Sequence, residues 1–239
     1  MSSKAWETTG VDVSRDRIVE LAATQGHDLA HLPGASFSEV VRVPEEIQRS
    51  ASAQAAAAVH GITDEEIALG TTFPETWARF LAFVESVESC SNNMIQDSEE
   101  DTDEEPLLPR PLCAQPTVCC AAHNGIKFDF AVLLFECQRH QLSTSPFRHW
   151  LFVDTLHILE CTKAELGGAC LKLQCLIHAI ADTSTLRAHR ALDDCICLRH
   201  VLHQVACRLD CSVTDLLRRF AHRWDEQSSI PQIAALVED

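Results

Sequence analysis

The chain has 239 residues, of which 46% are hydrophobic, and it carries a formal net charge of −16. This apolar content is enough for the core of one large domain, and the negative charge argues against binding of nucleic acid through a broad basic surface. The sequence has no uncharged apolar run long enough to span a membrane, and its first residues lack the apolar core of a signal peptide. We therefore expect an intracellular protein, in the nucleus or cytoplasm, that is not secreted.

The 12 cysteines are scattered, and no two of them form a CxxC pair. The most regular group recurs every three or four residues and comprises Cys197, His200, His203, Cys207 and Cys211. Side chains in one line along a single helix cannot surround a tetrahedral zinc ion unaided. This pattern therefore favours a packed helix face over a zinc site, and reduced thiols over disulfides.

The first half of the chain predicts two strands followed by helices. Arg17–Ala23 and Phe37–Val43 are rich in β-branched and apolar residues, which is typical of strands. Pro44 then begins a helical stretch that continues through the alanine-rich segment Ala51–Ala58. Phe73–Val87 has apolar residues at helical spacing, which predicts an amphipathic helix.

Composition changes sharply in the segment 90–116, which contains an acidic block and four prolines. Like charges repel each other and cannot be buried together, so we expect a disordered insertion in a single domain that spans residues 1–239. The same segment is a candidate docking site for a protein partner.

The second half alternates predicted strands and helices. Thr117–Ala122 and Trp150–Leu156 are predicted strands, and the predicted helices are Phe128–His140, Leu171–Ile180, Ala188–Leu209 and Val213–Trp224. Strands followed by alternating strands and helices indicate an α/β domain with a mixed sheet.

Three motifs occur in a fixed order along the chain. They are Glu7-Thr8-Thr9-Gly10, the segment His123-Asn124-Gly125-Ile126-Lys127-Phe128-Asp129, and the segment His189-Arg190-Ala191-Leu192-Asp193-Asp194. A fourth segment, Val59-His60-Gly61-Ile62-Thr63, lies between the first two. Together they resemble the DEDDh-type 3′–5′ exonucleases, and most closely the three-prime repair exonucleases and the polymerase III epsilon proofreading subunit. Taken singly, each motif also has an ordinary interpretation as a surface acid, a helix N-terminus, a turn or an exposed pair.

The resemblance implies a ribonuclease H-like fold, in which helices flank a mixed β-sheet, and removal of nucleotides from the 3′ end of nucleic acid. DNA is favoured, with single strands as the expected substrate, and RNA remains an alternative. Glu7, Asp129 and Asp194 would bind two Mg²⁺ or Mn²⁺ ions, and His189 would be the general base. The resemblance also implies a pocket for the terminal nucleotide, lined by Thr8, Val11, Val59 and Phe128.

These residue types suit that chemistry. Two divalent cations about 4 Å apart can activate a water and stabilise the charge on the phosphate and the leaving oxygen. Magnesium and manganese prefer oxygen ligands, so carboxylates must converge from separate elements. A histidine can accept the proton of the water near neutral pH.

The first motif departs from the family pattern, Asp-x-Glu, because Ala5 stands where the aspartate is expected. The residues before Ala5 are polar, so the first strand is expected to be short or incomplete. Three explanations stay open: a chain shortened from a longer active protein, a non-catalytic binding module with the same fold, or an inactivating substitution. A homodimer is a further option for its assembly.

Overall fold

The structure, a computed structural model, describes residues 2–26, 34–96, 118–164, 170–173, 175–176 and 190–223. The described strands are β1 (Ser2–Thr8), β2 (Ile18–Gln25), β3 (Ser36–Val40), β4 (Val118–Ala122), β5 (Trp150–Asp154) and β6 (His222–Arg223). The described helices are α1 (Glu45–Gln48), α2 (Ala51–His60), α3 (Asp64–Leu69), α4 (Phe73–Gln96), α5 (Asp129–Arg139), α6 (Thr155–Cys161), α7 (Ala191–Arg208) and α8 (Val213–Phe220), with a 3₁₀ turn at Ser145–His149.

The six strands form one mixed sheet in the order β3-β2-β1-β4-β5-β6. β1, β4 and β5 are parallel to one another, whereas β2, β3 and β6 pair with their neighbours in the antiparallel direction. The predicted mixed α/β architecture is therefore confirmed. Because β1, β4 and β5 run in the same direction, their carboxyl ends meet at one edge of the sheet, where ligand sites of α/β proteins usually lie.

Helices cover both faces of the sheet. Every residue of β4 is buried, as expected for a strand between two helical layers. One core cluster joins α4 and α5 to the sheet and includes Trp77, Phe80, Phe130 and Trp150. The second joins α6, α7 and α8 to the opposite face and includes Ile158, Leu198, Val201, Leu202 and Leu216.

Most of the predicted elements are present with shifted ends. α4 continues to Gln96, so the segment 90–116 begins as helix. Residues 97–116 lie outside the described part of the chain, so the predicted disordered insertion stays a prediction. Half of the predicted helix Leu171–Ile180 and the end of the last predicted helix also lie outside the described residues. The strand predicted over Trp150–Leu156 ends at Asp154, because the Asp154 carboxylate accepts a hydrogen bond from the Leu156 N–H (3.0 Å) and thereby begins α6.

The polar N-terminal segment does form a strand. β1 has seven residues, and its register with β2 runs from Ser2 opposite Gln25 to Thr8 opposite Ile18. Its pairing with β4 is confined to Ser2 and Ser3. The expectation that this strand would be incomplete therefore applies to its edge with β4 and not to its edge with β2.

Four members of the regular Cys–His group lie on α7, and Cys211 follows the end of this helix. Cys197 is buried in the core, whereas His203 and Cys207 contact each other near the surface (3.7 Å from Sγ to Nδ1). The ten cysteines whose side chains the structure describes are free thiols. No helix in the described part of the chain is long and apolar enough to cross a membrane.

Candidate active site

Glu7 lies near the carboxyl end of β1, directly opposite Glu20 of β2. Directly opposed residues of neighbouring antiparallel strands project from the same face of the sheet, so the two carboxylates are close neighbours. Glu7 is half-buried, whereas Glu20 is only 1% exposed. The first motif thus places an acid at the edge where the parallel strands end.

Asp129 begins α5, after a tight turn that follows β4. Asn124 adopts the left-handed region with φ 59°, and its carbonyl accepts a hydrogen bond from the Phe128 N–H (3.1 Å). A side chain at Gly125 would lie 2.7 Å from the Ala122 Cβ, so this position requires glycine. The Asn-Gly pair is therefore a turn, as its composition suggests, and that turn brings Asp129 back to the end of β4.

Asp194 lies in the first turn of α7, where its N–H donates to the Arg190 carbonyl (3.0 Å). The start of this helix has no cap from the Arg190 side chain. Instead, the Ala191 N–H donates to the Glu20 carboxylate (2.9 Å), and Arg190 donates to the same carboxylate through Nη2 (2.8 Å) and Nε (3.2 Å). A buried acid of β2 thus holds the helix that carries the third motif.

Neighbouring acids act on the pKa values of Glu7 and Asp129. Burial, together with the charges of Asp194, Glu20 and Asp129, raises the pKa of Glu7 from 4.5 to about 8, against a lowering effect of Arg190. Burial likewise raises the pKa of Asp129 from 3.8 to about 8, with contributions from Asp154 and Asp194, whereas backbone hydrogen bonds from Asp129 itself and Trp6 lower it. The charges of acids from separate elements therefore act on Glu7 and Asp129, and the assignment of Glu7, Asp129 and Asp194 as metal ligands stays a prediction.

Asp154 has a structural role beside these acids. Its Oδ1 caps α6, and its Oδ2 accepts a hydrogen bond from the Ile126 N–H (3.2 Å) in the turn before Asp129. The adjacent His123 has its pKa lowered by burial, although the charge of Asp154 opposes this shift. Asp154 thus ties the end of β5 to the turn that carries the second motif.

A cavity of about 520 Å³ opens beside Asp194. It is lined on its polar side by His123, Asn124 and Lys172, and on its apolar side by Leu156 and two further leucines. Lys172 therefore brings a cation to a region that is otherwise rich in acids.

The four residues predicted to line a nucleotide pocket have different surroundings. Thr8 is buried, and its hydroxyl donates to the Gly10 carbonyl (2.6 Å). Phe128 is partly buried against the core. Val11 and Val59 are 88% and 55% exposed, respectively, and they are two of the three large hydrophobic side chains that the described part of the chain exposes most.

The segment around Val59 is held by local hydrogen bonds. The ring of the buried His60 accepts a hydrogen bond from the Ile62 N–H (3.0 Å), and Gly61 ends α2 in the left-handed conformation at φ 68°. Thr63 and Glu66 form a reciprocal capping box at the start of α3. The fourth segment of the sequence is therefore a rigid connection between two helices.

The loop between β1 and β2, which carries Val11, is organised by Asp16. The Thr9 hydroxyl donates to Oδ1 of this buried carboxylate (3.0 Å), and the Asp12 N–H donates to Oδ2 (2.8 Å). A side chain at Gly10 would lie 2.4 Å from the Asp16 carboxylate, which explains the glycine of the first motif.

Two residues that contact the start of α7 were not predicted from the sequence, and one predicted residue lies outside the described part of the chain. Glu20 and Arg190 were not predicted, although a lone acid in the middle of an apolar strand is a recognisable signal. His189, the predicted general base, lies outside the described residues, immediately before Arg190.

The donor chemistry of the site suits a hard divalent cation, because Glu7, Asp129 and Asp194 offer only carboxylate oxygens. However, within the described ranges no three His, Cys, Asp or Glu side chains lie close enough together to form a complete metal-binding group. The three carboxylates are therefore chemically suited to a divalent cation, but in the described residues they are not close enough together to form a complete binding group.

Comparisons with known proteins agree with this geometry. Residues 6–97 match the RNase_T family, described as exonuclease. This part of the chain is therefore similar to exonuclease domains. The matched segment contains the first motif and the region around Val59, whereas Asp129 and Asp194 lie beyond it.

A plant exonuclease is similar in sequence to less than half of the chain. The chain is 33% identical over 106 residues to "Exonuclease DPD1, chloroplastic/mitochondrial" of Arabidopsis thaliana, a match that covers 43% of this chain and 33% of that protein. The matched region thus spans about a third of the length of this relative.

Structures of three exonucleases share the fold of this chain. The nuclease domain of 3′hExo, a DEDDh family member bound to rAMP, has a TM-score of 0.58 at 15% identity and covers 88% of this chain and 92% of its own. Exonuclease X in complex with 5′ overhanging duplex DNA has a TM-score of 0.55 at 17% identity and covers 90% and 98%. E. coli Exonuclease I in complex with a dA16 oligonucleotide has a TM-score of 0.61 at 17% identity and covers 91% and 42%. The family match and these nuclease structures support a nuclease function.

Proposed function

We propose that this chain is a metal-dependent 3′–5′ exonuclease that removes nucleotides from DNA ends, with single-stranded DNA as its main substrate. The observation that carries the proposal is the placement of Glu7 at the carboxyl end of β1 and of Asp129 at the start of α5, where the charge of Asp194 acts on both. Burial, with the charges of neighbouring acids, raises the pKa of Glu7 and of Asp129 to about 8. Such a group of buried acids costs stability, and a bound cation would offset that cost.

In this proposal each residue has a distinct task. Glu7, Asp129 and Asp194 would hold two Mg²⁺ or Mn²⁺ ions, which supply a Lewis acid for the phosphate and lower the pKa of an attacking water. His189 would accept the proton of that water. Lys172, in the cavity beside Asp194, would attract the negatively charged phosphate backbone.

The exposed valines support a place for the terminal nucleotide. Val11 and Val59 present apolar surface to solvent, and a base or sugar packed against them would cover it. With Thr8 and Phe128 they would bind the nucleotide without reading its sequence. The choice of DNA is supported by two of the structural relatives, which are complexes with DNA.

Ala5 favours a second candidate function. A strand residue two positions before Glu7 projects from the same face, so an aspartate at this position would have added a fourth carboxylate. With three acids the site is expected to bind cations weakly. The alternative function is therefore that of a catalytically impaired member that binds nucleic acid or a protein partner. The alternative substrate is RNA, which would make the chain a 3′–5′ exoribonuclease.

The test is a cleavage assay with single-stranded DNA labelled at the 5′ end, so that shortening from the 3′ end appears as a ladder. We expect slow Mn²⁺-dependent shortening, loss of activity in Glu7→Gln and Asp194→Asn, and at least a tenfold gain in Ala5→Asp. Asp193→Asn is the matched control, because it removes the neighbouring acid, and it should keep the reference activity. RNA of the same sequence measures substrate preference.

Two results would contradict the proposal. Cleavage that persists in both Glu7→Gln and Asp194→Asn would mean that these acids are not the site. Retention of DNA binding without cleavage, in the reference chain and in Ala5→Asp alike, would favour the binding module.

A further inference from the structure

We propose that Glu20 is a positioning residue of the carboxylate site, which sets the place of Asp194 relative to Glu7 through Arg190 and the first turn of α7. This inference rests on the proposed function for its effect on cation binding, but the positioning itself can be measured separately. Neither Glu20 nor Arg190 is one of the residues proposed to bind the cations.

The first step is the way in which α7 begins. A helix start leaves several backbone N–H groups without partners inside the helix, and a side chain at the N-cap usually accepts one of them. At α7 that acceptor is Glu20, which comes from β2 and is distant in the sequence, and which accepts from the Ala191 N–H (2.9 Å). Its negative charge also lies at the positive end of the helix dipole.

The second step is the ion pair between Glu20 and Arg190. Glu20 pairs with this guanidinium through Nη2 (2.8 Å) and Nε (3.2 Å), and the carboxylate is only 1% exposed. A paired, buried arginine–carboxylate contact fixes both distance and orientation. Below it, Ala191 and Cys195 pack against Ala22 of the same strand, so the first turns of α7 are anchored to β2 by charge, hydrogen bond and packing.

The third step links this anchor to both ends of the site. Glu20 is in register with Glu7 across the β1–β2 pair, and Asp194 lies in the turn that Glu20 caps. Arg190 also approaches Glu66, at 4.0 Å from Nη1 to Oε1, and Glu66 belongs to the capping box after Val59. One buried acid therefore connects the strand of the first motif, the helix of the third motif and the segment that carries Val59.

The test compares Glu20→Ala and Glu20→Gln with Glu136→Gln as a matched control. Glu136 is also 1% exposed and pairs with an arginine, Arg17, at 2.6 Å, but it lies on α5. Two quantities are measured at a temperature at which all variants are folded. They are the Kd of Mn²⁺, by calorimetric titration, and hydrogen exchange of peptides that cover the first turns of α7.

We expect Glu20→Ala to speed exchange in the first turns of α7 and to weaken Mn²⁺ binding at least tenfold. Glu20→Gln keeps an acceptor for the Ala191 N–H, so it should retain most of the protection and most of the affinity. Glu136→Gln should lower the melting temperature while leaving both quantities at the reference value. Restoration by the glutamine would separate positioning from the simple loss of a negative charge near the site.

Different failures have different meanings. Unchanged exchange in Glu20→Ala would overturn the positioning role, and so would equal loss of Mn²⁺ affinity in the alanine and glutamine variants. A reference chain that binds no Mn²⁺ would contradict the proposed function, while hydrogen exchange would still decide whether Glu20 holds the start of α7.

Discussion

Replacement of Asp129 by asparagine is expected to make the metal-free protein more stable. Asp129 is 7% exposed, and burial together with the charges of Asp154 and Asp194 raises its pKa to about 8. Asparagine has nearly the same shape and keeps an oxygen that can accept the Trp6 backbone hydrogen bond, but it carries no charge. The substitution therefore removes the unfavourable ionisation and preserves the local structure.

The expected gain in the free energy of unfolding, and its dependence on pH, follow from the raised pKa of Asp129. The shift from 3.8 to about 8 sets an upper limit of about 6 kcal/mol at about 1.4 kcal/mol per unit. Asparagine is also polar and costs free energy on burial, so we expect a gain of about 2 kcal/mol at pH 8.5. Below the ordinary pKa the acid is protonated in both folded and unfolded protein, and between that value and about 8 only the unfolded chain ionises. The stability of the reference chain therefore falls as pH rises through this window, and the gain from asparagine grows.

The measurement is urea unfolding in the presence of EDTA at pH 5 and pH 8.5, followed by the fluorescence of the buried Trp6, Trp77 and Trp150. The stability of Asp129→Asn relative to the reference chain should be clearly higher at pH 8.5 than at pH 5. With saturating Mn²⁺ the order should reverse, because the cation stabilises the ionised acid. A gain of equal size at both pH values, or a loss of stability at pH 8.5 in EDTA, would refute the reasoning.

Two further predictions concern the same edge of the sheet. Asp154→Ala removes the cap of α6 and the hydrogen bond to Ile126, and should lower the free energy of unfolding by about 2 kcal/mol; an unchanged urea midpoint would contradict the capping role. The affinity for Mn²⁺ should rise between pH 6 and 9 as Glu7 and Asp129, with pKa values of about 8, lose their protons. Calorimetric titrations in two buffers with different ionisation enthalpies would show the released protons, and a pH-independent affinity without proton release would exclude these acids as ligands.

The elements of the fold were predictable where composition and periodicity agree. β2 and β4 have β-branched or apolar runs, and α4 has apolar residues at helical spacing, so their types are confirmed, although α4 extends beyond Val87 to Gln96. The strand β1 was not predicted as complete, because its polar residues give no apolar signal. Its formation follows from pairing with β2 along its whole length, which is a tertiary contact that local sequence does not contain.

The candidate site residues could be proposed from the sequence, whereas the residues that hold the start of α7 could not. Glu7, Asp129 and Asp194 come from motifs in a fixed order, and the charges of the other two acids contribute to the raised pKa of Glu7; their role as ligands stays a prediction. Glu20 and Arg190 are 170 residues apart, and their contact depends on how α7 packs against β2. Neighbours that meet only through packing leave no spacing pattern in the sequence.

Ala5 changes the balance between stability and cation binding at this edge of the sheet. A fourth buried acid beside Glu7 would raise the pKa values of its neighbours further, and so would lower the stability of the metal-free protein. Each additional carboxylate would also strengthen the attraction for a divalent cation. If the proposed site binds cations, alanine at this position is expected to lower the cation affinity and to raise the stability of the metal-free protein. The response of Ala5→Asp in the two conditions distinguishes a weakened exonuclease from a binding module: a weakened enzyme should become less stable in EDTA and gain both stability and activity with Mn²⁺, whereas a binding module should show only the loss.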